Sequence, residues 1–380
     1  FQMKQAADAS KRTSISKTGI LDTTTMINYR WSEDIFVKNE THSDGKSHGL
    51  IIFIDWSGSM SGILQDTVEQ LLVLVEFCRR AGIPYEVYSF SSQEYIPGTD
   101  DLNRCSDEYY NRVEDYNNSH PQCERTDETD VTPHSFTLFN FLSSRQNARE
   151  HKTALNNLWI LTAGTTYRSN YRCPTPGCLS LGSTPLNESI IAAIQMIPAF
   201  QKQYGIQIPN AVFLTDGEGH GIGLRSYYSY RTSGSKNILR DKKTRKTYDV
   251  TTGPGGETAA LLRLLKDRTG ASSIGIRLHD SKTIRNLRYS FWNSDNYEVA
   301  EQLFEDACRS YSKNNFCVAD DSGYDVFFVV KGNLKVEFES LEDLNADASY
   351  TKLKNAFMKG GNSKKASRVI ANRIIDIIAA

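Results

Sequence analysis

The chain has 380 residues, and its 44 Lys+Arg against 45 Asp+Glu give a formal net charge of -1. This near-neutral balance argues against a partner held by bulk charge, such as DNA, RNA or an acidic membrane. A hydrophobic fraction of 39%, with 17 Phe and 19 Tyr, excludes disorder over the whole chain and is enough for one large domain or two ordinary ones.

The first 47 residues are polar and poor in long apolar stretches, which predicts an irregular arm or an edge element. Phe1–Asp8 has no basic stretch followed by an apolar one, and so it does not resemble a signal peptide. No run approaches the roughly 18 apolar residues that cross a bilayer. The 7 Cys are irregularly spaced and do not describe a disulfide framework. We therefore expect a cytoplasmic protein.

A strand, a helix and a second strand follow the arm with short connections. Gly49–Asp55 is a continuous apolar run that ends in a carboxylate, which is typical of a strand buried on both faces of a parallel sheet. Apolar residues spaced by three and four predict a helix that ends at Gly82: Leu64, Val68, Leu71, Leu72, Val75 and Cys78. Tyr85–Phe90 reads as the next strand, which completes a βαβ unit.

Two long polar segments, at about residues 91–155 and 217–255, are expected to be insertions that leave the sheet. The first carries a modest apolar segment at Phe136–Leu142. The second carries a basic, hairpin-like piece at Arg240–Lys246. Between the insertions, Leu158–Thr162 reads as a short strand.

Strands and helices alternate through the rest of the chain. The expected elements are a helix over Leu186–Ile197 that ends or bends at Pro198, a strand Ala211–Asp216, a helix Thr258–Thr269, a strand Ser273–Leu278, a helix Val299–Ala307, a strand Asp325–Val330, and a helical segment at residues 336–380 with an apolar face over Val369–Ile378. This alternation predicts an α/β domain over residues 48–335, with a doubly wound, mostly parallel central sheet flanked by helices.

Polar side chains follow two of the predicted strands. Asp55, Ser57 and Ser59 come at and after the end of the first strand, and Asp216 ends a later one. Thr184 lies in a turn just before a helix. Because ligand sites in open α/β sheets lie beyond the carboxyl ends of the strands, we expect these side chains to meet. Two carboxylates and three hydroxyls describe a site for a hard cation, and octahedral oxygen coordination favours Mg²⁺.

Three motifs then resemble the von Willebrand factor A domain and its metal-ion-dependent adhesion site. They are Asp-x-Ser-x-Ser after an apolar strand, Gly-x-Thr-Pro-Leu in a turn, and Thr-Asp-Gly at a strand end, and the similarity covers about residues 48–330 without the insertions. The resemblance implies that Ser57, Ser59 and Thr184 bind the metal directly, while Asp55 and Asp216 support it through water. It also implies that a carboxylate of a partner fills the open position. Mg²⁺ is the expected cation, with Mn²⁺ and Ca²⁺ as alternatives.

Within that family, the amino-acid sequence around Ile54–Met60 and Ala81–Phe90 resembles that of intracellular bacteriophage proteins related to the T subunit of cobaltochelatase. Such proteins work with a MoxR-type AAA+ ATPase. The resemblance implies a non-catalytic adaptor in the host cytoplasm, whose partner is the ATPase or the substrate that it remodels. The absence of Met at position 1 fits an A domain at the end of a longer chain.

Residues beside the expected metal are candidates for contact with the partner: Trp56, Met60, Pro185 and Glu218. Trp56 is bulky for its place in the motif, so it either packs beneath the loop or joins the recognition surface. Two other functions stay open from the sequence. One is a subunit of a chelatase-like complex that inserts a metal into a tetrapyrrole, and the other is a structural component of a phage particle or its assembly.

Other motifs are weaker. Gly217–Gly223 lacks the spacing of a nucleotide-binding loop and no Walker A motif exists, so ATP binding is not expected. Met60 stands where a nucleophile elbow needs Ser, which disfavours a serine hydrolase. Cys173 and Cys178 offer two zinc ligands where a structural site needs four. The basic piece near Tyr248 is more typical of a solvated hairpin than of a nucleic-acid contact.

Overall fold

The structure is a computed structural model. It describes residues 14–21, 36–41, 47–93, 95–99, 106–119, 131, 136–165, 177–216, 219, 237–250, 256–279, 283–285, 287, 297–319 and 323–331. The predictions made for Glu218, for Cys173 and for the helical segment at 336–380 lie outside these residues.

The helices and strands alternate along the chain. They are β1 (Ser14–Leu21), β2 (Phe36–Thr41), β3 (His48–Asp55), α1 (Leu64–Ala81), β4 (Tyr85–Ser91), α2 (Asp107–Ser119), β5 (Thr137–Ser143), α3 (Ala148–Thr165), α4 (Leu186–Tyr204), β6 (Ile208–Leu214), β7 (Asn237–Arg240), β8 (Thr247–Val250), α5 (Gly256–Thr269), β9 (Ser272–His279), α6 (Tyr297–Asn314), β10 (Phe316–Ala319) and β11 (Val326–Lys331). Two short 3₁₀ turns cover Gly58–Gly62 and Gly177–Leu179.

Seven of the described strands form one sheet in the order β10-β11-β9-β6-β3-β4-β5. The inner strands run parallel, and the edge strands β5 and β10 run antiparallel to their neighbours. β3 lies near the middle, where Ile51 is level with Glu86 of β4 and with Ala211 of β6. The expected α/β architecture with a mostly parallel central sheet is therefore confirmed.

Helices cover both faces of this sheet. On one face, Ile52 and Ile54 of β3 pack in a layer with apolar residues of α1 and α3. On the other, Ile51 and Phe53 pack with α4 and α5. Complete burial of such a side chain contributes about 1.5–3 kcal/mol, so burial on two faces explains why β3 has a continuous apolar run.

The end of α1 agrees with the sequence. Gly82 has φ 66°, a left-handed conformation that glycine adopts readily, and its N–H bonds the carbonyl groups of Cys78 and Arg79. This closes the helix and leads directly into β4, as the βαβ pattern predicted.

Two predicted elements differ in the structure. Leu158–Thr162 was predicted to be a strand but lies inside α3, where Leu158 and Thr162 are buried one turn apart and Ile160 is 52% exposed. A short apolar run does not distinguish the two structures, and here the helical spacing decides. The helix at 186 was predicted to end or bend at Pro198. It does not end there but continues to Tyr204, because Ile197 and Phe200 bury the same face on both sides of the proline.

The two polar segments contain more regular structure than expected. Phe136–Leu142 does not leave the sheet: it coincides with β5, which pairs with β4 as an edge strand. The same segment contains α2, which the sequence did not predict. The hairpin expected around 240–246 is present as β7 and β8. In the first 47 residues, β1 and β2 pair as a separate two-stranded sheet.

Among the described helices, none combines the length and apolar character needed to cross a bilayer.

Candidate metal centre

The candidate site lies where β3 and β6 end side by side. The chain passes from β3 to β4 on one side and from β6 to β9 on the other, and ligands of open α/β sheets bind in a crevice at such a position, beyond the carboxyl ends of the two strands. Asp55 is the last residue of β3, and Thr215 follows β6. The Thr215 hydroxyl donates to Asp55 Oδ2 at 2.8 Å, and its amide donates to the Ile276 carbonyl at 3.1 Å.

The turn after β3 brings two serines to the second carboxylate. Because Gly58–Gly62 folds as a 3₁₀ turn, Ser59 comes back beside Ser57, and their hydroxyl oxygens are 2.9 Å apart. The Ser59 hydroxyl donates to Asp216 Oδ1 at 2.9 Å. Ser59 is exposed and Asp216 is partly exposed, so this side of the site is open.

The loop that carries Thr184 is joined to the same turn by backbone hydrogen bonds. The Gly58 amide donates to the Gly182 carbonyl at 2.8 Å, and the Gly182 amide donates to the Trp56 carbonyl at 3.2 Å. The Ser183 amide donates to the Ser92 hydroxyl at 2.7 Å. A Cβ on Gly182 would lie 2.5 Å from that hydroxyl, which explains the glycine. Thr184 itself is 8% exposed, two residues from this connection.

Asp55 is a buried carboxylate whose charge is poorly balanced. It has no exposed surface, and Oδ1 has no hydrogen-bond partner of good geometry. Burial raises its pKa to about 7, and the negative charge of Asp216 adds to the rise, although Thr215 and the nearby hydroxyl and amide of Ser57 oppose it. A cation in the crevice would favour the ionised form of Asp55 and remove this cost.

The donor set fits a hard cation that keeps part of its water. No group of three or more His, Cys, Asp or Glu that could hold a metal occurs among the described residues. The candidate site is not such a group, because its oxygen donors are two carboxylates and several hydroxyls. Mg²⁺ accepts neutral oxygen ligands and retains several waters, so this mixed set and the unsatisfied Oδ1 of Asp55 suit it.

Three of the residues expected to contact a partner are buried. Trp56 has no exposed surface, donates from Nε1 to the Leu179 carbonyl at 2.8 Å, and packs edge-on against Phe141 at a centroid distance of 5.2 Å. Met60 is 1% exposed, and Pro185 is also buried. These side chains therefore support the loop from below, which is the first of the two interpretations given for Trp56. They do not form the recognition surface.

The structure adds two residues to the site. Thr215 was part of the Thr-Asp-Gly motif, and its position one residue before Asp216 placed it at the strand end, but its bond to Asp55 was not anticipated. Ser92 supports the Thr184 loop from beyond β4. No local pattern marks it, since the contact joins residues 91 positions apart.

No family model matches the chain, and none of the curated proteins is similar to it. Several solved structures are similar in part, among them a pilus adhesin and two forms of a minor pilin. The match to the pilus adhesin SpaC from Lactobacillus rhamnosus GG is 15% identical with a TM-score of 0.32, and it covers 72% of this chain and 31% of the adhesin. The match to the PilB minor pilin from Streptococcus sanguinis is 13% identical with a TM-score of 0.26, and it covers 74% of this chain and 66% of the pilin. The match to the D319A mutant of the same pilin is 11% identical with a TM-score of 0.27, and it covers 86% of this chain and 64% of the mutant.

The chain thus spans less than a third of the adhesin and about two thirds of the pilin. At these TM-scores the likenesses carry no argument about function.

The raised pKa of Asp55 predicts a pH-dependent stability in metal-free protein. The folded chain keeps a proton on Asp55 that the unfolded chain releases between pH 3.8 and about 7, so this group lowers the free energy of unfolding as pH rises through that range. Above pH 7 the loss in the free energy of unfolding caused by Asp55 has reached its full value. Asp55→Asn should therefore stabilise the protein at pH 8 by about 1–4 kcal/mol, and by less at pH 5.

Urea unfolding in EDTA at both pH values measures this difference. Added Mg²⁺ should then stabilise the wild type at pH 8 and leave the Asn variant unchanged. Equal stability of the two proteins at both pH values would show that Asp55 is not an uncompensated charge.

Proposed function

We propose that this protein is a non-catalytic, Mg²⁺-dependent docking protein, in which a carboxylate of a partner completes the coordination of the metal. The observation that supports it best is the buried Asp55, whose Oδ1 has no hydrogen-bond partner of good geometry, beside the turn that brings Ser57, Ser59 and Asp216 together. The finer description of the fold, a doubly wound von Willebrand factor A-like domain, belongs to the same proposal, and helices on both faces of the sheet are compatible with it.

Each residue has a distinct part in the proposed site. Ser57, Ser59 and Thr184 hold the cation, while Asp55 and Asp216 balance its charge through water. Thr215 fixes one oxygen of Asp55 and leaves the other available to a water bound to the cation. The cation, when bound, supplies a directional and reversible attachment for an anionic oxygen.

The open side of the site determines what can bind. Gly58 and Ser59 are exposed, so an Asp or Glu side chain on a partner's surface could approach the metal without rearrangement of the buried layer. We propose an AAA+ ATPase of the MoxR type, or the substrate that it remodels, as this partner in the cytoplasm of a phage-infected host. This part of the proposal rests on the sequence resemblance alone.

Metal binding is the first test. Titration calorimetry of the full chain with MgCl₂ and MnCl₂ should show one site, and Ser59→Ala should weaken it by about 10–100-fold, because it removes both a ligand and the bond that holds Asp216. Ser61→Ala is the matched control, since Ser61 lies in the same turn and has no assigned role. Equal affinities of the two serine variants would contradict the proposed ligand set.

Partner capture is the second test. The tagged chain should retain its partner from the cells that produce it when Mg²⁺ is present, and lose it in EDTA or when Asp55 is replaced by Ala. Mass spectrometry of the retained proteins identifies the partner. Retention at full strength by Asp55→Ala in EDTA would show that the metal site is not the docking point.

A further inference from the structure

A buried hydrogen bond joins the first turns of α4 and α5. The Thr258 hydroxyl donates to Asn187 Oδ1 at 2.7 Å, although the two residues are 71 positions apart in the chain. Asn187 is the second residue of α4 and is 1% exposed, and Thr258 is the third residue of α5 and is 5% exposed. The bond is therefore shielded from water, and in such surroundings a hydrogen bond is electrostatically stronger than at the surface.

Asn187 also lies against the segment that follows Asp216. A Cβ on Gly219 would lie 3.0 Å from Asn187 Cγ and 3.1 Å from Asn187 Oδ1, so the backbone passes close to the side-chain amide at this point. Gly219 comes three residues after Asp216, and Asn187 comes three residues after Thr184. The side chain of Asn187 thus stands between the two stretches of chain that carry Thr184 and Asp216.

The surroundings of the Asn187–Thr258 pair are apolar. Leu186 and Ile190 of α4 pack in one buried layer with Ala260 and Leu261 of α5. Two apolar side chains of the same shape would fill this place with little change in stability, because folding only exchanges hydrogen bonds to water for hydrogen bonds within the protein. A hydrogen bond adds direction, since it forms in only one register of α5 on α4. The pair is therefore better suited to fixing a position than to stabilising the fold.

We propose that Asn187 and Thr258 are positioning residues of the metal centre, which hold Thr184 and Asp216 at the separation that the cation requires. This inference rests on the proposed function, because it concerns the same metal. Neither positioning residue touches the cation. Asn187 fixes the first turn of α4, directly after Thr184, and supports the segment after Asp216, while Thr258 fixes Asn187.

Coupling of this kind acts in both directions. If the bond between α4 and α5 strengthens metal binding, the metal strengthens the bond by the same factor. The start of α5 is therefore expected to become more ordered when Mg²⁺ binds, although none of its residues is a proposed ligand. A hydrogen bond with a purely structural role would not respond to the metal.

Calorimetric titration of the full chain with MgCl₂ tests the positioning role. Thr258→Val replaces the hydroxyl by a methyl group and keeps the branched shape, so it should weaken Mg²⁺ binding by about 10-fold, the low end of the range for residues behind a metal ligand. Thr258→Ser keeps the hydroxyl and should bind Mg²⁺ like the wild type. Thr162→Val is the matched control and should leave the Mg²⁺ affinity unchanged, because Thr162 is a buried threonine of α3, on the other face of the sheet.

Gly219→Ala reaches the same amide from the other side. Its added Cβ would lie closer to Asn187 than an ordinary contact, so the amide has to shift and Mg²⁺ binding should weaken here too. Circular dichroism shows that each variant is folded, and urea unfolding in EDTA measures its metal-free stability. Because calorimetry reports on the folded protein, a loss of stability alone would leave the Mg²⁺ affinity as it is in the wild type.

Hydrogen exchange read by mass spectrometry tests the reverse direction. Saturating Mg²⁺ should slow exchange in peptides from Gly256–Thr269 in the wild type and in Thr258→Ser, but not in Thr258→Val.

Wild-type affinity for Mg²⁺ in Thr258→Val, or in Gly219→Ala if the valine variant does not fold, overturns the positioning role. The proposed docking function then still stands, provided that Ser59→Ala weakens the site. Exchange in α5 that does not respond to Mg²⁺ overturns the positioning role as well. A wild type that binds no Mg²⁺ contradicts the proposed function itself, and the positioning role falls with it.

Discussion

The arrangement of this protein depends on one constraint: a carboxylate, Asp55, ends a central strand without solvent to stabilise its charge. The parallel pairing of β3 with β6 brings Thr215 to one of its oxygens and leaves the other oxygen without a hydrogen bond. Below about pH 7 a proton removes this charge, and above it the carboxylate stays buried and charged. We propose that a hard cation in the crevice then compensates it.

The rest of the domain positions the groups around that carboxylate. Two buried layers fix β3 in the middle of the sheet, and successive strands are added on opposite sides of the β3–β6 pair, which makes the carboxyl ends of these two strands the expected place for a ligand. Trp56 occupies the space beneath the turn and bonds the carbonyl of Leu179, so the turn that carries Ser57 and Ser59 is tied to the segment that leads to Thr184. The proposed site thus draws on three separate parts of the chain.

The sequence predicted the parts of this arrangement that have a regular pattern. The apolar run before Asp55, the helix ending at Gly82 and the proximity of Asp55 to the end of β6 follow from strand and helix periodicity. What it missed depends on tertiary contacts. Leu158–Thr162 is equally compatible with strand and helix, the burial of Trp56 depends on Phe141 of a strand from a distant segment, and Ser92 acts on a residue far along the chain. Helix α2 buries no residue, so its sequence has no apolar pattern from which a helix could be predicted.

The most direct test of the metal centre is a crystal structure of the protein grown with MnCl₂, with anomalous diffraction used to place the manganese. We predict one strong anomalous peak between the ends of β3 and β6, within about 2.0–2.4 Å of the hydroxyl oxygens of Ser57 and Ser59, with Asp55 and Asp216 around it. A crevice without an anomalous peak at saturating MnCl₂, with Asp55 still buried and unpaired, would contradict the account.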